Sequence, residues 1–216
     1  MGTFFRVDGK FYTVMSKVAD MALLSVFWII GCLPVVTLVT STASLYHTVV
    51  KCVRYDTGAV FRDFKEAYKK NLRQGIGLTL LFGAMGAILA FADYWLFFVS
   101  KSRSALLLLA TLAALLLSVV YVLNVLWLVP VFSRFSNTFN MILKLNYVIS
   151  MRHLLRCIPV IVMIAVAVIL LVTLNGLLFF VPALVTLLSS YFAEPVLWRY
   201  MPKQEDTSGD WRYGFK

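Results

Sequence analysis

Apolar residues in this chain gather into long unbroken runs parted by short basic segments. The alternating or 3.6-residue patterns that mark half-buried strands and helices are confined to two places. Runs extend over 20–39, 75–99, 105–132 and 158–192. A hydrocarbon core about 30 Å thick is crossed by roughly 20 apolar residues in a helix, so each of the first three runs predicts one spanning helix. The last has 35 residues; as one helix it would be roughly 52 Å long, so two spans are expected. Asn175-Gly176, a strong turn dipeptide, divides it into 158–174 and 177–192, and Pro159 suits the first turn of the earlier half.

Between the runs the pattern changes to helical spacing. Phe61, Phe64, Tyr68 and Leu72 recur every three or four residues through 60–74, while Arg62, Asp63, Lys65, Glu66, Lys69, Lys70 and Arg73 occupy the other face. Phe139, Ile142, Leu145 and Ile149 do the same through 136–156, with Lys144, Val148, Arg152 and Arg156 on another side and a wider apolar face. Both read as amphipathic helices, lying on a leaflet or against a partner. The expected fold class is all-α: a polytopic membrane helical bundle, a single membrane domain over 1–198 with a polar tail over 199–216.

Composition agrees. Of 216 residues, 61% are hydrophobic and 14% charged, against roughly 45–50% and about 25% in soluble domains. A water-soluble globule is excluded. The net charge of +10 would suggest nucleic acid on a soluble protein; on a membrane protein it reports which loops face the cytosol, so no nucleic-acid partner is expected and the lipid bilayer is. With five spans, 46–74 carries seven Lys and Arg, 133–157 four and the tail four, all on one side; the N-terminus carries three and the Lys101–Arg103 turn two on the other. That fifteen-to-five split predicts an external N-terminus and a cytoplasmic C-terminus, whereas four spans divide the charges eleven to nine. The first run is too long for a signal-peptide core, so it is expected to be retained. Cys32, Cys52 and Cys157 form no paired spacing and predict no disulfide framework.

Polar residues within the runs are few. Pro34 lies two-thirds along the first run, followed by Thr37, Thr40, Ser41, Thr42 and Ser44, so a kink or break is expected there with hydroxyls satisfying the freed carbonyls. Thr79, Gly83, Gly86, Ala87 and Ala90 make a small-residue stripe along the second run, read as internal helix packing. Asp93, the only carboxylate well inside an apolar run, falls near the outer interface beside Tyr94 and Trp95, without the second ionisable group that a proton relay needs. Leu33-Pro34-Val35-Val36 and Leu128-Val129-Pro130-Val131 each precede a basic helical loop, a hint of internal repetition without a constant offset.

Catalytic constellations are lacking. His47 and His153 have no metal-ligand spacing, no Gly-x-Ser-x-Gly elbow or phosphate-binding loop occurs, and the cysteines have no histidine at helical spacing. No enzyme activity, metal or cofactor is expected.

Leu33-Pro34-Val35-Val36-Thr37 with Ser41-Thr42-Ala43 and Leu45-Tyr46 resembles the hallmark of the YesL-like family of bacterial integral membrane proteins. Phe61-Arg62-Asp63-Phe64-Lys65 with Asn71, and Pro130 with Arg134-Phe135, are similar to its next two blocks, so the resemblance runs from about Ala19 to Arg199. Where the family often has a glycine-containing step, this chain has Leu38-Val39-Thr40. Members are commonly encoded beside carbohydrate ABC importers. The resemblance therefore implies a non-enzymatic accessory or assembly factor of such an importer, with its permease subunits as partners. On that reading Pro34, Thr37, Ser41, Thr42 and Tyr46 form the functional or structural motif, and Phe61, Arg62, Phe64, Lys65, Arg134 and Phe135 dock the partner. Two alternatives stand beside it: a small-solute transporter or binding protein built on the Pro34 discontinuity, and a membrane sensor of sugar utilisation using the tail. An ABC permease subunit is disfavoured, because Glu66-Ala67 is followed by Tyr68 and Gly75 comes too late for the permease loop motif.

Overall fold

The structure, a computed structural model, describes residues 10–99, 105–135, 137–173 and 179–201. Among these every regular element is helical: α1 (Lys10–Cys32), a 3-10 turn (Val35–Thr37), α2 (Leu38–Thr48) continued by a π-helical turn (Val49–Arg54), α3 (Val60–Val99), α4 (Ala105–Arg134), α5 (Phe139–Arg152), α6 (Cys157–Thr173) and α7 (Val181–Tyr200). Five segments are long and apolar enough to cross a membrane: Val14–Cys32, Val60–Phe98, Ala105–Arg134, Leu154–Thr173 and Val181–Tyr200. The chain is thus an all-α membrane helical bundle. The Lys101–Arg103 turn, the Asn175-Gly176 turn and most of the tail lie outside the described residues.

The first run departs most from the expected single span. A proline has no N–H and disfavours helix at the preceding residue, and α1 accordingly stops at Cys32. The chain then reverses. Thr37 donates its N–H to the Pro34 carbonyl at 2.9 Å, and its hydroxyl lies 2.8 Å from the Gly31 carbonyl oxygen and 2.7 Å from that of Pro34. From Leu38 the chain runs back antiparallel to α1. Trp28 Nε1 donates to Thr42 Oγ1 at 3.1 Å, Ser41 Oγ donates to the Trp28 carbonyl at 3.0 Å, and Leu24 packs in one cluster with Leu45 and Val49. At the far end Lys17 Nζ meets the Asp56 carboxylate at 2.8 Å. Asp56 itself has φ 55°, the left-handed conformation that aspartate tolerates in a tight turn, and is followed by Gly58 at φ 98°.

The amphipathic segment 60–74 and the run 75–99 form one 40-residue helix, α3. Gly75 does not end it: one helical glycine costs only about 1 kcal/mol, whereas breaking a helix where it enters lipid strands backbone hydrogen bonds. Gly75 instead permits contact. A Cβ there would stand 2.1 Å from Thr40 Oγ1 and 3.1 Å from Thr40 Cα, so α2 packs backbone to backbone against α3. Thr40, Ser41, Ala43 and Ser44 of α2 are fully buried, and this small-residue surface lets α2 occupy the centre of the bundle. The small-residue stripe of α3 behaves differently from expectation. Thr79 Oγ1 accepts the Val39 N–H at 3.2 Å and Gly86 faces the Tyr121 hydroxyl, but Gly83 meets nothing within 4 Å and Ala87 and Ala90 are exposed. The last three face outward because only one side of α3 meets α4.

The second amphipathic segment forms α5, whose Ile142, Asn146, Ile149 and Ser150 turn inward. The main core joins α2, α3, α4, α5 and α7 through Tyr46, Leu78, Leu128, Ile142, Ile149 and Leu197.

Candidate functional site

The bundle's centre holds charge. Arg134, on the last turn of α4, and Glu194, on the last two turns of α7, have side chains each 1% exposed. Arg134 Nε donates to Glu194 Oε1 at 2.9 Å, and Arg134 Nη2 pairs with Glu194 Oε2, making a two-pronged contact. Tyr46 of α2 donates its hydroxyl to the same Oε1 at 3.0 Å. Three helices thus end on one carboxylate. Two charges removed from water repay their desolvation only when geometry is good and further hydrogen bonds fill the remaining lone pairs. Planar guanidinium against carboxylate, with a phenol as third partner, meets that requirement.

A second cationic anchor lies one layer away. Arg54, ending the π-helical turn, donates from Nη1 to the Ser190 carbonyl at 2.8 Å and to Ser190 Oγ at 3.1 Å, and its guanidinium sits 4.4 Å from the Tyr191 ring centroid. At the start of α3, Asp63 binds Lys51 Nζ at 2.8 Å and accepts the Ala59 N–H at 2.8 Å. Gly58 is required beside it, since a Cβ there would fall 2.1 Å from Asp63 Oδ2. Cys52 also points at Asp63. Burial and the neighbouring carboxylate push its thiol up to about 12, so it stays protonated and is a poor nucleophile.

Of the expected motif residues, Pro34 and Thr37 make the turn between α1 and α2, Ser41 and Thr42 bind α2 to α1, and Tyr46 reaches the ion pair. Most of the hydroxyls of α2 are occupied by backbone carbonyls: Thr42 by Leu38, Ser44 by Thr40 and Thr48 by Ser44. Thr42 and Tyr46 also border a cavity of about 260 Å³ between α2, α4, α6 and α7, with Thr186, Ser189 and Arg156 on its wall. The expected docking group divides. Phe61, Arg62 and Lys65 are exposed on α3, with Lys65 Nζ 5.8 Å from the Phe61 ring centroid. Phe64, Arg134 and Phe135 are buried and offer no surface to a partner; Phe64 packs with Phe27 and Tyr68, and Arg134 is held by Glu194. Asp93 accepts a hydrogen bond from Ser118 Oγ at 2.6 Å, tying α3 to α4.

Glu194 escaped the sequence reading because the last run appeared to end at Phe192. α7 continues through Pro195 to Tyr200, which makes Glu194 a carboxylate inside an apolar helix. That is the signal that marks an intramembrane charge in need of a partner.

No curated protein and no solved structure matches the chain. Residues 21–94 match a family model described as protein of unknown function, DUF624. The match takes in the Leu33–Tyr46 and Phe61–Lys65 blocks and stops short of Pro130 and Arg134, so likeness to that family is carried by the α1–α2 hairpin and most of α3.

Proposed function

We propose that this chain is a non-enzymatic membrane accessory or assembly factor that works by contact with other membrane proteins, with its C-terminus in the cytoplasm. The observation that carries this reading is the occupied interior: Arg134, Glu194 and Tyr46 bind one another, and Arg54 binds Ser190. Such locked groups cross-link helices rather than hold a passing solute. The exposed set of Phe61, Arg62 and Lys65, beside Lys69 and Lys70, is left as an aromatic and basic docking face on α3. The resemblance to the YesL-like family directs that face to the permease subunits of a carbohydrate ABC importer.

The test is affinity purification from native membranes in mild detergent. Importer subunits are expected with the native chain and in reduced yield with F61A/R62E/K65E. Absence of every importer subunit, together with unchanged sugar uptake on deletion, would overturn the reading.

The cavity beside Thr42 favours a second reading, binding or passage of a small solute, with Thr42, Thr186 and Ser189 as hydrogen-bonding groups on an apolar wall. Proteoliposome flux of candidate sugars decides it: flux that disappears in T37A/S41A/T42A supports a transporter, and equal background in both chains removes it.

A further inference from the structure

We propose that α1 and α2 form a re-entrant hairpin that dips into the cytoplasmic leaflet and returns, so that both chain termini lie on the cytoplasmic side. The hairpin's apolar tip is then a surface made for lipid acyl chains. This inference is independent of the accessory reading.

The argument begins with Lys17 and Asp56. A helix that crossed from Val14 to Cys32 and handed the chain to a cytoplasmic loop would place these residues on opposite sides, roughly 30 Å apart. They are joined at 2.8 Å. Two turns into α1 the chain is thus at the level of the loop that follows the π-helical turn, and α3 begins four residues after Asp56.

The depth of the hairpin follows from its contacts with α3. Phe27 packs on Phe61 and Phe64, with ring centroids 5.5 and 5.8 Å apart, and Gly31 lies against Tyr68. The end of α1 therefore sits beside the stretch of α3 that carries Arg62, Lys65, Lys69, Lys70 and Arg73, before the apolar run starts at Gly75. Val39 meets Thr79 and Thr40 meets Gly75, so the tip reaches only the first turns of that run, and α3 continues twenty residues past Thr79 to Val99. At the tip Leu33 is 76% and Val35 70% exposed. Such residues flank a proline turn without cost only in hydrocarbon, and in a hairpin of this depth the lipid is that of the leaflet on the basic side.

Charge provides an independent check. α3 and α4 are antiparallel, and α6 starts where α7 ends, with His153 Nε2 3.3 Å from the Tyr200 hydroxyl and Cys157 packed with Ala193, Val196 and Leu197, so each pair returns to its starting side. With the N-terminus on that side too, every Lys and Arg except Lys101 and Arg103 falls there: eighteen against two. The five-crossing arrangement gives fifteen against five. A positive-inside bias this steep favours the re-entrant path.

Protease sites placed before Met1 and after Lys216 of the full chain test this in right-side-out and inverted vesicles. Both sites are expected to be cut only in inverted vesicles. Cleavage of the two from opposite faces overturns the hairpin, and cleavage of both in right-side-out vesicles overturns its orientation. K17C/D56C gives a second measurement that leaves the termini untouched: the pair is expected to form an intramolecular cross-link in native membranes with a short homobifunctional thiol reagent, whose spacer takes the place of the ion pair's side-chain reach. Failure to form it in a chain that still elutes as a single species counts against the hairpin.

Discussion

Arg134 and Glu194, sixty positions apart in sequence, meet head to head with each side chain 1% exposed, and Tyr46 completes the carboxylate's coordination from a third helix. Removing one charge leaves the other buried and unpaired, which costs about 3–5 kcal/mol. E194Q and R134M are each expected to lower the thermal midpoint in detergent by roughly 10 °C. R134M/E194L, which removes both charges at similar volume, is expected to recover most of that loss. Size-exclusion profiles after heating measure all three. A double variant no more stable than the singles would show that the pair is needed for more than neutralising its own desolvation.

Two glycines of α3 separate packing from composition. At Gly75 an added methyl meets Thr40 backbone at 3.1 Å as well as its hydroxyl, whereas at Gly83 it meets nothing within 4 Å. G75A is expected to destabilise by about 1–3 kcal/mol, since overpacking must push α2 away. G83A is expected to be neutral or stabilising by up to about 1 kcal/mol through helix propensity. Equal midpoints for the two variants would refute the close approach of α2 to α3.

These positions also show how much was legible in the sequence. Length and apolarity marked the membrane helices, because crossing lipid constrains every residue in a run. They could not say whether a run crosses or returns, since Leu, Val and Trp serve either path equally; Pro34 marked the break and not its direction. The small-residue stripe was visible, but which of its members meet a neighbour depends on which face of α3 receives α4. Arg134 looked like part of a basic loop because its partner lies sixty residues away, behind an apolar run whose apparent end excluded Glu194. Tyr46 was singled out by resemblance alone, and its role becomes physical only when the carboxylate is in place.

The turn between α1 and α2 depends on Thr37, whose hydroxyl lies within hydrogen-bonding distance of the carbonyls of Gly31 and Pro34. The Gly31 carbonyl loses its helical partner because α1 stops at Cys32 ahead of Pro34, and in an apolar setting it needs a donor. T37V keeps the shape and removes the donor, and is expected to cost about 1–2 kcal/mol. T37S restores the hydroxyl and should recover most of the stability. Cross-linking of K17C/D56C reports the same contact from the hairpin's other end, and should slow in T37V. Unchanged midpoint and cross-linking rate in T37V would remove Thr37 from the turn.

His153 gives the fold a pH dependence. Its ring lies between α4 and α7, with Nε2 3.3 Å from the Tyr200 hydroxyl and its centroid 6.3 Å from that of Trp127. Partial burial, followed by the nearby Arg156, Arg199 and Arg152, holds its pKa below the ordinary 6.5. Below pH 6.5 the unfolded chain takes up a proton that the folded chain refuses, so stability is full above that pH and declines as pH falls toward the depressed native value. H153Q cannot titrate and still offers Tyr200 a hydrogen-bonding partner. The thermal midpoint of the native chain is therefore expected to fall more between pH 7.5 and 5.5 than that of H153Q. Parallel curves would place the pH response elsewhere, whereas a gap that opens only below pH 6.5 assigns it to the contact that holds α7 against α4.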